Sequence, residues 1–424
     1  MLRSKKSPWK NGSLLFIPEM ESTPGTDGSD FMMKILQICN IDAAVDALLK
    51  PLHQVLRQQG YIVHYACTNT GTFFTELQSQ GMHMIHVPID RKIKPLSNLR
   101  SIIRLTALMK KEKYDVVHVH TPIASVLGRI AAKLAGVKYV IYTAHGFYFH
   151  EHMSKLGYLI TYNIEKFFAR YLTSILHLVS REDYELCIRH RFKEPHFIVH
   201  ISNGVDFRTR FNPKSIDESE KERLKKELSI NQGDIVFTFI GRLVGEKGIY
   251  ELFDAFQRLK RSRDHVKLLM VGDLFPSERD QDSYRKIKEV IHNDHDIITT
   301  GFRRDIPQLL AITDVFVLPS HREGLPLVIM EAMAMKKPIV AANIRGCREE
   351  VVHNVNGFLV EKENKLELYE RLQQLADNEE MRLRFGENSR KIVKNLFDHK
   401  KTLQSQLELY HQIESQIKGM QSIS

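Results

Sequence analysis

DVFVLPSHREGLPLVIMEAMAMKKPIV, residues 314–340, reads as strand, turn, helix and strand in succession. After Asp314 comes an apolar run, 315–318, long enough for a buried strand. Pro319, Ser320 and Gly324 then mark a turn. Pro326 suits the first turn of a helix, where its missing N–H has no intrahelical partner to lose. That helix runs through Glu331 and gives way before Pro338, which opens a second strand-like run, 339–342. This is the repeat of a parallel α/β sheet.

The turn carries the chemistry. Glu323 precedes the helix and Glu331 lies within it, so both approach the space beyond the carboxyl end of the strand, where such sheets bind ligands. The N–H groups of Gly324 and Leu325, read as part of a helix start, favour an anion. Two carboxylates beside free N–H groups suit a ligand with both hydroxyls and phosphate. The same spacing also suits a solvated Glu331 and a capping Glu323.

Composition bounds the rest. A chain of 424 residues exceeds one ordinary core and implies two domains. With 43% hydrophobic and 26% charged residues it has the balance of a soluble globular protein. It contains no run of 18 apolar residues, so no membrane-spanning helix is expected. Residues 1–31 are basic, briefly apolar, then acidic and Gly-containing, which argues for a flexible leader and against a signal peptide. The four cysteines, Cys39, Cys67, Cys187 and Cys347, have no metal-ligand spacing and fit a reducing compartment. The net charge of +10 is uneven: residues 1–204 hold 25 Lys and Arg against 16 Asp and Glu, a net +9. The first half therefore meets something anionic.

Residues 33–39, 61–67, 83–87, 115–119 and 139–144 read as strands. Helical stretches at 41–59, 72–80 and 96–113 alternate with the first four, which predicts a doubly wound sheet. His118 and His120 share one face of their strand by period-2 alternation, as wall or as packing residues. His145 follows directly after the strand 139–144, and Gly146 permits a close backbone approach. Packing and function are equally open for this histidine on the residues alone. The aromatic stretch 157–179 reads as largely buried core. Arg91, Lys92, Lys94, Arg100, Lys110, Lys111 and Lys113 add a basic surface suited to anionic lipid, or simply to solubility. No nucleic-acid motif appears. An Asn203-Gly204 turn closes this half near residue 206.

In the second half, the strand 235–240 leads into Gly241-Arg242-Leu243 and Glu246-Lys247-Gly248. Arg242 and Lys247 suit a diphosphate, which takes both charge and directional donors. Asp305 reads as the cap of a helix to Thr313, and Gly346 opens a helix extending through His353. Apolar residues at 396, 403, 407, 410, 413 and 417 form one helical stripe that must lie against something.

EGLPLVIMEAMAMKKPIV, with its glutamates at 323 and 331, resembles the nucleotide-sugar site of retaining glycosyltransferases of the GT4 family. YTAHGFYFH resembles the acceptor-domain segment of members that build capsule, exopolysaccharide and undecaprenyl-linked glycans. The resemblance spans roughly residues 33–415. It implies the GT-B fold: two Rossmann-like doubly wound domains facing a central cleft, with a C-terminal helix returning to the first. The expected organisation is a leader at 1–31, an acceptor-binding domain at 32–208, a nucleotide-sugar domain at 209–392 and the returning helix at 393–424. The resemblance further implies transfer of a hexose or N-acetylhexosamine from a UDP-sugar, with retention, to a saccharide or lipid-diphosphate-linked acceptor, without a metal or other cofactor.

By the same resemblance, Arg242 and Lys247 would neutralise the leaving diphosphate and Glu331 would accept the ribose hydroxyls. Glu323, with Gly324 and Leu325, would address the donor sugar, and Phe302 would neighbour the base. His145 would complete the pocket; a neutral ring there is expected to donate one hydrogen bond to a sugar hydroxyl. The expected place is the cytoplasm, peripheral on the inner face of the membrane. One departure stands out: the first strand-to-helix connection, Asn40-Ile41-Asp42-Ala43-Ala44, has no glycine where most of the family is glycine-rich. A sugar phosphorylase or sugar-phosphate enzyme of the same fold, and a non-catalytic nucleotide-sugar-binding protein, would share these residues.

Overall fold

The structure, a computed structural model, describes residues 32–90, 94–151, 153–273, 281–292 and 294–421. The expected leader and the expected basic residues Arg91 and Lys92 lie outside them. The first sheet contains β1 (Lys34–Ile41), β2 (Ile62–Thr68), β3 (His83–His86), β4 (Val116–His120), β5 (Tyr139–Ala144), β6 (Ile175–Leu178) and β7 (Ile198–His200), in the order β3-β2-β1-β4-β5-β6-β7. All its pairings are parallel. The second contains β8 (Ile235–Ile240), β9 (Val266–Val271), β10 (Ile297–Gly301), β11 (Val315–Leu318), β12 (Ile339–Ala342) and β13 (Gly357–Val360), in the order β10-β9-β8-β11-β12-β13, again parallel. These are the two Rossmann-like domains expected.

Both faces of the first sheet are covered, and alternate residues of each strand enter different cores. Ile35, Val116 and Ile141 pack in one core with the C-terminal helix His399–Gln421, which contributes Leu407, Tyr410, Ile413 and Ile417. Leu36, Val117 and Tyr142 face the other. The tail therefore returns to the first domain. The returning helix was expected from 393, but Val393 lies within the helix Glu379–Leu396 and in the second core, and the crossing lies at Phe397 and Asp398. The outgoing crossing lies beside it: Val205 N–H donates to the Phe397 carbonyl at 3.0 Å. Val205 and Phe207 already belong to the second core, earlier than the expected boundary at 208.

Other expectations are corrected. The helix expected over 41–59 is two, Asp42–Leu48 and Lys50–Gln58, because Pro51 has no N–H to continue the first ladder. The helix after Gly346 stops at Glu350, since the Asn356 amide takes the Val352 N–H at 2.7 Å and donates to the Glu350 carbonyl at 3.1 Å. Asp305 does not cap its helix; its carboxylate grips Arg303 at 2.8 and 2.5 Å instead.

The aromatic stretch is not mostly core. In the helix Lys155–Tyr171, Leu156, Leu159, Ile160, Ile164, Phe167 and Tyr171 are exposed. Only Glu165 and Ala169 are fully buried, Glu165 in an ion pair with buried Arg129 at 3.1 Å.

The glycine-free connection 40–44 is hardly a loop: β1 ends at Ile41 and a helix begins at Asp42. The buried Asp42 carboxylate accepts from the N–H groups of Thr70 and Phe74, both at 3.0 Å. The Asn40 side chain accepts from Thr121 Oγ1 at 2.6 Å and from Ala124 N–H at 3.0 Å. Here polar side chains hold neighbouring helix starts, in a place where glycines would leave room.

Candidate active site

On the second domain, β8 ends at Ile240, and the next residues turn back towards the cleft. Gly248, at φ +71°, heads the helix Ile249–Ser262; a Cβ there would stand 2.0 Å from the Pro319 carbonyl. Only glycine lets that helix start butt against the end of β11. The turn Gly245–Lys247 just before it carries Lys247, whose Nζ meets Glu323 Oε1 at 2.6 Å. Glu246 stands 4.0 Å from Arg242 and 3.0 Å from Arg322. Two strand ends, β8 and β11, thus bring three cations and two carboxylates to one edge.

On the first domain, His145 and Gly146 follow β5. The two backbones touch: a Cβ on Gly324 would come 1.6 Å from the His145 carbonyl, and one on Gly146 would come 2.6 Å from Gly324 Cα. A pair of glycines is what the approach requires. Beside this contact lies a cleft of about 210 Å³, lined among others by Thr121, His145, Tyr148, Arg242, Lys247 and Glu323. Its charges come from the second domain, and its histidine from the first.

His145, Arg242, Lys247, Glu323 and Gly324 are therefore together. Burial holds the His145 ring neutral, with its pKa pushed down to about 3. Leu325 is buried beside them and its carbonyl accepts from Asn203 Nδ2 at 3.0 Å, across the domains. The helix expected from near Pro326 starts at Leu327, so these N–H groups stand just ahead of it rather than in its first turn. The N–H groups of Gly324 and Leu325 still find no acceptor among the described residues. Glu331 lies further along that helix and does not line the cleft. Burial pushes its carboxyl up to about 7, opposed by the charge of Arg210. Phe302 is half-exposed outside the cleft, edge-on to Phe73 of the first domain at 5.6 Å.

His118 and His120 share a face, as period-2 alternation predicts, with ring centres 4.2 Å apart. Neither lines the cleft; His120 stands behind His145, Nδ1 to Nε2, at 3.2 Å. The sequence reading missed Thr121, Tyr148 and Arg322 as lining residues. Their signal was their place just after β4, β5 and β11, at the carboxyl edge where ligands bind. Among the described residues no group of three or more His, Cys, Asp or Glu is gathered as a metal site, and no helix is long and apolar enough to cross a membrane.

Two family profiles match: "Glycosyl transferase 4-like" over residues 37–180 and "Glycosyl transferases group 1" over residues 220–392. The chain is 31% identical over 361 residues to the UDP-Gal:alpha-D-GlcNAc-diphosphoundecaprenol alpha-1,3-galactosyltransferase of Escherichia coli, covering 84% of this chain and 90% of that one. It is 28% identical over 369 residues to the capsular polysaccharide biosynthesis glycosyltransferase CapM of Staphylococcus aureus, covering 86% and 93%. Among solved structures, Anabaena HepE in complex with UDP and glucose superposes with a TM-score of 0.74 at 24% identity, over 90% of this chain and all of that one.

Proposed function

The chain belongs to the group 1, GT4-like glycosyltransferases, and from that premise we propose that it moves a hexose or N-acetylhexosamine from a UDP-sugar to a saccharide carried on a lipid diphosphate, with retention at the anomeric carbon. The proposed setting is surface-polysaccharide synthesis. The observation that carries this reading is the cleft itself: Lys247 and Arg242 on one wall, His145 on the other, and Glu323 between them.

In the proposed reaction the bond from the anomeric carbon to the diphosphate breaks. A bond from the acceptor oxygen forms on the same face, and the acceptor's proton passes to a phosphate oxygen of the departing UDP. Negative charge grows on that diphosphate as the bond breaks. Arg242 and Lys247 stabilise it more in the transition state than before, which is what accelerates a reaction. The Lys247–Glu323 pair satisfies both charges before a donor arrives. With donor bound, Lys247 turns part of its donor capacity to phosphate, and Glu323 accepts from sugar hydroxyls. Gly324 and Leu325 supply backbone donors, Glu331 takes the ribose hydroxyls and Phe302 lies towards the base. No metal is called for, because two cations already face the leaving group.

The acceptor class follows the Escherichia coli relative, named for a diphosphoundecaprenol substrate. An enzyme serving such an acceptor works at the cytoplasmic face of a membrane, and the exposed apolar helix Lys155–Tyr171 supports a peripheral attachment there. A panel of UDP-, GDP- and ADP-sugars, read by thermal shift and by nucleotide release, tests the reading. One UDP-sugar should stabilise the protein and turn over slowly, and Arg242→Ala should cut kcat on the order of 10²–10³-fold. Glu331→Ala should weaken nucleotide binding. Binding without turnover would favour a non-catalytic role, and strict dependence on free phosphate a phosphorylase.

A further inference from the structure

A carbonyl in the first domain sets the direction of a buried hydrogen-bond chain that ends at the cleft. The Ile201 carbonyl can only accept, so His177, with Nε2 2.9 Å away, donates to it. Burial lowers the His177 pKa to about 4 and keeps the ring neutral, leaving Nδ1 bare. The Thr143 hydroxyl, 2.7 Å from that Nδ1, must donate to it. A hydroxyl has one proton, so Thr143 accepts at its other contact, from His118 Nε2 at 2.6 Å.

The same step repeats. His118, kept neutral by burial, accepts through Nδ1 from the Tyr410 hydroxyl at 2.6 Å. Tyr410 oxygen then accepts from Gln37 Nε2 at 2.8 Å, which turns Gln37 Oε1 to His120. His120 donates to it through Nε2 at 2.8 Å and so accepts through Nδ1, from His145 Nε2 at 3.2 Å. His145 is left with a bare Nδ1, a buried atom that has no partner among the described residues. The six members behind His145 are at most 3% exposed, so bulk water does not reset the direction.

We propose that this chain, running through Tyr410 of the C-terminal helix, fixes His145 in its Nε2–H tautomer, with that proton held by His120, so that the ring has no N–H left for a hydroxyl of the bound sugar. This excludes the donor role expected from the sequence. Thr143, His118, Tyr410, Gln37 and His120 are positioning residues. The sugar hydroxyl rests on the transferase reading above; the tautomer does not.

Thr143→Val is the decisive variant. It removes the hydroxyl at constant shape and would leave a buried His118 Nε2–H without an acceptor. An unmet donor is costly, and reversing every bond from His118 to His145 moves it to His145 Nδ1, so the two directions become comparable in cost. The variant should therefore populate Nδ1–H at His145 alongside Nε2–H. Two-bond proton–nitrogen spectra of the ¹⁵N-histidine-labelled full chain report each tautomer, with His145 assigned by its loss in His145→Asn. The wild type should show Nε2–H alone at His145 and the variant both tautomers, with nucleotide affinity unchanged. Nδ1–H in the wild type, or an unchanged ring in Thr143→Val, overturns the proposal. Should that variant not fold, Tyr410→Phe takes its place: it frees Gln37 to rotate, and a single unchanged His145 tautomer there overturns the proposal equally. If no nucleotide sugar binds the wild type, the transferase reading fails while the spectra still decide the tautomer.

Discussion

Glu331 carries a carboxyl with no hydrogen-bond donor among the described residues, in a position where burial raises its pKa from 4.5 to about 7. Between those two values the folded chain holds a proton that the unfolded chain has released. Its contribution to stability is therefore present at pH 4.5 and lost as pH rises to 7. Glu331→Gln removes this titration at nearly constant shape. The thermal midpoint of wild type should fall more between pH 5 and 8 than that of the variant, measured in the same buffers without nucleotide. Parallel midpoints would mean that Glu331 ionises normally. At this scale the site was partly legible: Arg242, Lys247 and Glu323 were named from their positions after strands, and they meet. Gln37 and Tyr410 were not, because nothing in a sequence links residues 373 apart. A faint signal existed, since Gln37, His118, Thr143 and His177 are polar residues within largely apolar strands that pair side by side.

The helix Lys155–Tyr171 shows what periodicity cannot decide. Its apolar positions repeat at helical spacing, which fixes a face but not what covers the face. The structure turns a second face, with Tyr158 and Tyr162, towards the core and leaves Leu156, Leu159, Ile160, Ile164, Phe167 and Tyr171 to the outside. Lys155 and Arg170 stand on the same helix, in the half of the chain that carries the net positive charge. Anionic lipid matches both the apolar stripe and the charge. A fully buried leucine or isoleucine contributes about 1.5–3 kcal/mol. Leu159→Glu with Ile164→Glu should thus reduce binding to phosphatidylglycerol vesicles at least about a hundredfold in flotation assays, while the exposed positions leave the fold intact. Equal flotation of wild type and variant would remove this face from the membrane contact. The strands were easier, since β5, β8, β11 and β12 match their expected bounds. Short apolar runs between turn residues, buried on both faces, leave little else for the chain to do.

At the scale of the whole molecule, activity depends on how two independently cored domains are held around one cleft. Besides the contact of Gly146 with Gly324, a cluster from the second domain grips the first. Arg345 Nη1 meets the fully buried Asp183 carboxylate at 2.7 Å, and its Nη2 donates to the Phe149 carbonyl at 2.6 Å. Glu349 accepts from Ser180 Oγ at 2.6 Å and Arg181 N–H at 2.7 Å, at the start of the helix Arg181–Arg189. Phe147, in the segment that Arg345 holds, lines the cleft. Removing Arg345 leaves Asp183 as a buried charge without its partner, an effect of about 3–5 kcal/mol when a buried pair is broken on one side. The closed arrangement is where that cost falls, because Asp183 regains water when the domains part. Arg345→Ala should therefore show a larger radius of gyration by small-angle scattering and a raised KM for the donor, with each domain's core intact. Arg345→Ala with Asp183→Ala leaves no orphaned charge and should recover part of the closure. An unchanged radius in the single variant, or a double variant as open as the single, would place the control of closure elsewhere, at the glycine contact and the paired crossings at Val205 and Asp398.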